Sequence, residues 1–156
     1  MSKATLYILL ADDDTDDCEL FECALKELPV ATQLTIVNNG QQLMDLLNNT
    51  PRLPDLLFLD INMPLKNGIQ CLIEISLIPK LKHLCVVIFS TTITKHTLNT
   101  LYDYGAQYYL CKPDLYSELK KSLEKITTLI SQSQHNKEVG KYNQHSREDF
   151  ILGFSK

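Results

Sequence analysis

Four short stretches of this chain carry side chains able to do chemistry together. They are Asp12-Asp13-Asp14, the lone Asp60, Ser90-Thr91-Thr92, and Lys112 ahead of Pro113. Each follows directly on an apolar run. Carboxylates gathered in a small volume repel one another and raise one another's pKa unless a cation is present. A hard divalent ion relieves that repulsion, and Mg²⁺ takes a few carboxylates plus waters and substrate oxygens. Asp60 can then serve as a nucleophile toward phosphorus. The Lys112 amine and the Ser90 hydroxyl would neutralise or hydrogen-bond the phosphoryl oxygens as charge develops. The inventory suits phosphoryl transfer, provided that the fold brings these residues to one place.

The periodicity of the chain supplies that fold. Leu6 to Ala11, Leu56 to Leu59, Val86 to Phe89 and Tyr108 to Cys111 are continuous apolar runs of strand length, and Leu34 to Val37 is a fifth. Runs without alternation are what strands buried on both faces of a parallel sheet require. Between them lie helical stripes: Leu20, Phe21, Ala24, Leu25 and Leu28, stopped by Pro29; Leu43, Met44 and Leu47; Ile69, Leu72 and Ile73, ending before Pro79. Thr94 to Tyr104 ends at Gly105, and Leu115, Leu119, Leu123, Ile126 and Ile130 mark a last long helix. Strand and helix alternating five times predict an α/β fold, a doubly wound five-stranded parallel sheet with right-handed crossovers. In such sheets functional groups collect outside the carboxyl ends of the strands, where strand order reverses. All four stretches would converge on that edge.

Composition narrows the function classes. The 156 residues suit one domain, are 44% hydrophobic and 22% charged, and carry a formal net charge of -4. That balance gives no sign of a nucleic-acid or membrane surface, and the apolar runs are far too short to span a bilayer. The opening residues lack the apolar core of a signal peptide, so a cytoplasmic location is expected. Cys18, Cys23, Cys71, Cys85 and Cys111 form no C-x-x-C pair, which argues against disulfides and a zinc site. Residues 1–130 read as the domain and 131–156 as a tail, an extension of the last helix or partly disordered. Within that tail Asp149-Phe-Ile-Leu-Gly-Phe is an apolar island, either folding back on the domain, frayed, or a docking peptide.

The chain resembles the receiver domains of two-component signalling, the CheY-like family. The resemblance rests on Ile8-Leu-Leu-Ala-Asp-Asp-Asp14, Leu57-Phe-Leu-Asp-Ile-Asn-Met-Pro64 with Asn67-Gly68, Val87-Ile-Phe-Ser-Thr91, and Gly105-Ala-Gln-Tyr-Tyr-Leu-Cys-Lys-Pro113. These cover roughly Leu6 to Ile130 in the family's order and spacing. The resemblance implies a flavodoxin/CheY-like (βα)5 fold with strand order 2-1-3-4-5. It makes Asp60 the phosphoacceptor and Asp13 a direct ligand of Mg²⁺ or Mn²⁺. Asp12 would bind that metal through a water, and Asn62 through its backbone carbonyl. Lys112 would pair with Asp60 and then with the phosphoryl group, Ser90 would donate to it, and Tyr109 would be the aromatic whose rotation reports it. A cis Lys112-Pro113 peptide is implied too. The implied role is a signalling switch rather than an enzyme. It would be charged by a histidine kinase or phosphotransfer protein and read by protein contact, a second copy through the fourth-to-fifth-helix face included, with no DNA-binding output domain.

Departures from the pattern bear on turnover. Thr91 stands where the family usually has a smaller residue, which tightens access to Asp60. Thr92 occupies a position that tunes dephosphorylation, and Asn62 is an amide able to orient an attacking water. Plainer roles suit other residues. Asp14 and Asp16 read as helix N-terminal charges and caps, and Tyr108 as core packing. The EF-hand look of Asp12-x-Asp14-x-Asp16 fails because Asp17 replaces the glycine and Cys23 the final glutamate. Three other functions compete. A phosphorylation-independent, receiver-like interaction module would leave the site unused. A haloacid-dehalogenase-type phosphatase would need threonine or valine where Asp16 ends the first-strand signature, and the surplus Asp60 and Lys112 fit receivers better. A flavodoxin-like cofactor binder would need a first turn that does not repel phosphate.

Overall fold

The computed structural model describes residues 5–91, 93–135 and 151–152. The elements run β1 (Leu6–Ala11), α1 (Thr15–Lys26), β2 (Thr32–Val37), α2 (Gly40–Asn49), β3 (Leu56–Leu59), α3 (Gly68–Leu77), a 3-10 turn (Pro79–Leu81), β4 (Val86–Ser90), α4 (Lys95–Asp103), β5 (Tyr108–Cys111), α5 (Tyr116–His135) and β6 (Ile151–Leu152). All strand pairs are parallel, in the order β2-β1-β3-β4-β5-β6. This contains the expected 2-1-3-4-5 order. It also adds β6, drawn from the apolar island, along the outer side of β5 with Ile151 opposite Tyr109 and Leu152 opposite Leu110. The last helix continues to His135; residues 136–150 of the expected tail lie outside the described residues.

Burial follows position in the sheet. Every residue of β3 and β4 is buried, as continuous apolar runs require, whereas the edge strand β2 is mostly half-exposed. Side chains alternate across the sheet and divide the core. Ile8, Leu10, Phe58, Val87, Phe89, Tyr108 and Leu110 meet α1 and α5 on one face. Leu9, Ala11, Leu57, Leu59, Val86, Ile88 and Tyr109 meet α2, α3 and α4 on the other. On the first face Phe21, Phe58 and Phe89 make three edge-to-face contacts with ring centroids 4.8, 5.6 and 6.1 Å apart, each pair adding about 0.5–1.5 kcal/mol beyond its buried area.

Local sequence sets the helix ends. Asp14, Asn39, Asn67 and Thr94 each cap a helix by accepting a backbone N–H three residues on, and Asn67 with Gln70 forms a reciprocal capping box. Gly105, with φ +94°, turns the chain out of α4, a conformation only glycine adopts without strain. Gly68 opens α3 so close to the end of β3 that a Cβ there would lie 2.2 Å from the Asp60 carbonyl oxygen. Between them, Lys66 donates its N–H to the Pro64 carbonyl across Leu65, whose φ is +67° although it is not glycine. No peptide bond is cis among the described residues, so the expected cis Lys112-Pro113 is corrected to trans. Trans is the lower-energy isomer of an X-Pro bond by about 0.5–1 kcal/mol.

Candidate functional site

Pairing of the strands builds the site. Ala11 lies opposite Leu59 in the β1–β3 ladder, so the next residue of each strand, Asp12 and Asp60, emerge side by side. The Asp60 N–H donates to the Ala11 carbonyl at 3.0 Å. Ser90 ends β4 opposite Cys111, and the Lys112 N–H donates to the Ser90 carbonyl at 2.8 Å. Three strand pairings thus bring the expected acid, hydroxyl and amine to one edge.

The carboxylates of Asp12, Asp13 and Asp60 offer oxygens all within 4.8 Å of one another. Asp12 and Asp60 are buried and Asp13 is exposed. One Asp60 oxygen accepts the Asn62 backbone N–H at 3.2 Å; the other lies 3.0 Å from the Lys112 ammonium. Asp12 is held through one oxygen by the Asp14 N–H at 2.9 Å. Its other oxygen is sealed from solvent and lies 2.8 Å from the Lys112 ammonium, in an ion pair. Burial pushes the Asp12 carboxyl up to about 6, with the Asp60 charge adding to it; the Lys112 ammonium and the Asp14 N–H pull the other way. Burial by itself would lower the Lys112 pKa, but its carboxylate partners more than offset this and hold the ammonium charged. Its Nζ also lies 5.5 Å from the centre of the Phe89 ring.

The set fits a small hard cation. The three carboxylates supply only oxygen ligands in a tight group, one of them exposed for entry, and two of them, Asp12 and Asp60, pair with the Lys112 ammonium.

Ser90 Oγ is wholly buried and without a hydrogen-bond partner among the described residues. A buried hydroxyl without a partner is costly to keep. Tyr109 is turned into the protein, and its hydroxyl donates to the Thr91 carbonyl at 3.0 Å. Burial raises its pKa. Thr91 is exposed, and Thr92 lies outside the described residues. Asp14 caps α1 and Tyr108 packs in the core, as the sequence suggested.

One residue was missed. Asp17, in the first turn of α1, accepts a hydrogen bond from Lys112 Nζ at 2.8 Å, as short as any contact that ammonium makes. The signal was available: a carboxylate in the helical turn directly after the first strand must lie at the same sheet edge as the strand's own acids.

A doubly wound parallel sheet whose carboxyl edge gathers carboxylates, a buried hydroxyl and a lysine defines an open α/β protein with an acidic, lysine-closed site. The comparisons narrow that class to one family. The model of the response regulator receiver domain matches residues 8–124, and the chain belongs to that family. It is 32% identical over 131 residues to response regulator Rcp1 of Synechocystis sp. (strain ATCC 27184 / PCC 6803 / Kazusa), covering 80% of this chain and 88% of that protein. The Mn(2+)-bound form of Rcp1 superimposes with a TM-score of 0.71 at 31% identity, over 79% of this chain and 92% of that one. The phosphorylated cyanobacterial phytochrome response regulator RcpA gives 0.77 at 30% identity, over 83% and 96%. Receiver domains are in general signalling switches that work with histidine kinases or phosphotransfer proteins and hold Mg²⁺ or Mn²⁺ in an acidic pocket. Among the described residues no helix is long and apolar enough to cross a membrane.

Proposed function

We propose that the protein is a switch that accepts a phosphoryl group on Asp60. The observation that carries this reading is the Lys112 ammonium 3.0 Å from an Asp60 oxygen whose carboxylate also belongs to the Asp12–Asp13–Asp60 cluster. An Asp60 oxygen forms the bond to phosphorus while the bond from phosphorus to the donor's oxygen or nitrogen breaks, and the donor leaves with that electron pair. Asp13, Asp60 and the Asn62 carbonyl would hold a Mg²⁺ or Mn²⁺ ion directly and Asp12 through water; when bound it supplies charge neutralisation at the phosphoryl oxygens. Lys112 shifts from Asp60 to a phosphoryl oxygen. The orphaned Ser90 hydroxyl donates to another, and that new partner is what removes the cost of its burial. Tyr109, bonded to the chain just after Ser90, carries the change to the α4 side.

The donor is a histidine kinase or phosphotransfer protein; the sensor histidine kinase CheAY of Helicobacter pylori carries a segment similar to this chain. Residues 1–130 form the switch and 131–156 an extension that completes α5 and supplies β6 to the sheet, and output is a protein contact, a second copy through the α4–α5 face among them. Incubation with Mg²⁺ and acetyl phosphate tests the reading by mass spectrometry. A gain of one phosphoryl group is expected in the wild type, none in Asp60→Asn, and none in EDTA. An unmodified wild type, or equal labelling of Asp60→Asn, overturns it.

A further inference from the structure

The Lys112 ammonium has three protons and three carboxylate neighbours: Asp12 at 2.8 Å, Asp17 at 2.8 Å and Asp60 at 3.0 Å. Under the reading above, two of these neighbours change role as the switch is charged. Asp60 becomes an acyl phosphate, and Asp12 belongs to the carboxylate cluster suited to the cation. Asp17 lies outside that cluster and is not the acceptor.

We propose that Asp17 is a positioning residue: the α1 carboxylate that keeps hold of the Lys112 ammonium while its other partners change, so that the amine meets the incoming phosphoryl group already in place. The inference rests on Asp60 being the phosphoacceptor. It also joins elements that are far apart in sequence, since the bond ties the first turn of α1 to the turn between β5 and α5 across 95 residues. Half-exposure of Asp17 keeps the anchor at the rim, where it does not occupy the space beside Asp60. Asp12 lies equally near the amine, at 2.8 Å, but it is part of the carboxylate cluster that would face the cation. A lysine without its anchor spreads over several positions on its four-carbon stem, and loose placement of a transition-state partner slows the step without weakening donor binding.

The same residue also has a plainer effect, an acidic charge in the first helical turn, and the test separates the two. Asp16 occupies the same turn of α1, is exposed, and removes an equal charge when truncated. Full-length wild type, Asp17→Ala, Asp17→Glu, Asp16→Ala and Lys112→Ala are labelled with acetyl phosphate at saturating Mg²⁺. In Asp17→Ala the maximal rate should fall about 3–10-fold with the half-saturating donor concentration unchanged. Asp17→Glu should recover most of that loss, and Asp16→Ala should match the wild type. The ¹⁵N–¹H signal of the Lys112 ammonium should vanish in Asp17→Ala while the backbone spectrum stays dispersed. Wild-type rate and a persistent ammonium signal in Asp17→Ala would overturn the anchor, as would equal slowing by Asp16→Ala. If Lys112→Ala is slow and Asp17→Ala is not, the phosphoacceptor reading stands and only the anchor falls. A wild type that takes no label removes the reading itself.

Discussion

The helices that cover the sheet are packed to different standards, and α4 is covered least. Toward α1 and α5 the core is deep: Cys18, Phe21, Ala24 and Leu25 from one helix meet Leu119, Leu123, Ile126 and Ile130 from the other, over the interlocked Phe21, Phe58 and Phe89 rings. On the opposite face α4 contributes one buried residue, Leu101, with Leu98 and Tyr102 only partly covered. The site straddles this divide. Asp12 and Asp60 directly follow β1 and β3 and Asp17 is in α1, whereas Tyr109 shares its core cluster with Leu101 of the lightly packed α4. Few buried apolar contacts mean a low cost of local opening. On the proposed reading, the chemistry is mounted beside the heavily packed α1 and its readout beside the lightly packed α4.

The largest effect that could break this contrast is on the face toward α1 and α5. Phe58→Ala should lower unfolding stability in urea by about 3–5 kcal/mol, because it removes a ring from the centre of the aromatic trio. Leu101→Ala should cost less, about 2–3 kcal/mol, since a thin layer relaxes around the gap. Hydrogen exchange in that variant should speed up across α4 and leave β1 and β3 protected. Equal costs, or equal protection of α4 and β1 in the wild type, would mean the two faces are one cooperative unit. Tyr109→Phe should lose about 1 kcal/mol from the missing bond to Thr91, with faster exchange confined to the segment after β4. Leu65→Gly, in a loop outside both faces, should raise stability by about 0.5 kcal/mol. It relieves a left-handed backbone that costs an ordinary residue about 1–2 kcal/mol, less the entropy a glycine adds. A change in α4 exchange there would tie the loop to the readout.

What the sequence made legible follows from locality. The apolar runs marked four strands to within a residue, because burial on both faces leaves no room for polar positions. Gly105 marked the end of α4, because a turn of that kind forms within a few residues; the equally local Asn67–Gln70 capping box emerged only with the structure. Asp60, Ser90 and Lys112 were found because strand ends share an edge. Asp17 was passed over because its partner is 95 residues away and its neighbours made it look like a failed metal loop. The left-handed Leu65 carries no composition signal at all. The two-residue β6 was visible only as an apolar island, since so short a segment has no period to read.

That last strand bears on how anything can approach β5. An edge strand with unpaired amides invites backbone-to-backbone annealing, the usual route to unwanted assemblies. Here Tyr109 and Leu110 have strand neighbours on both sides, β4 within and β6 without. A visitor to this flank finds the middle of β5 already stitched, and meets the two residues of β6 before it can reach that strand.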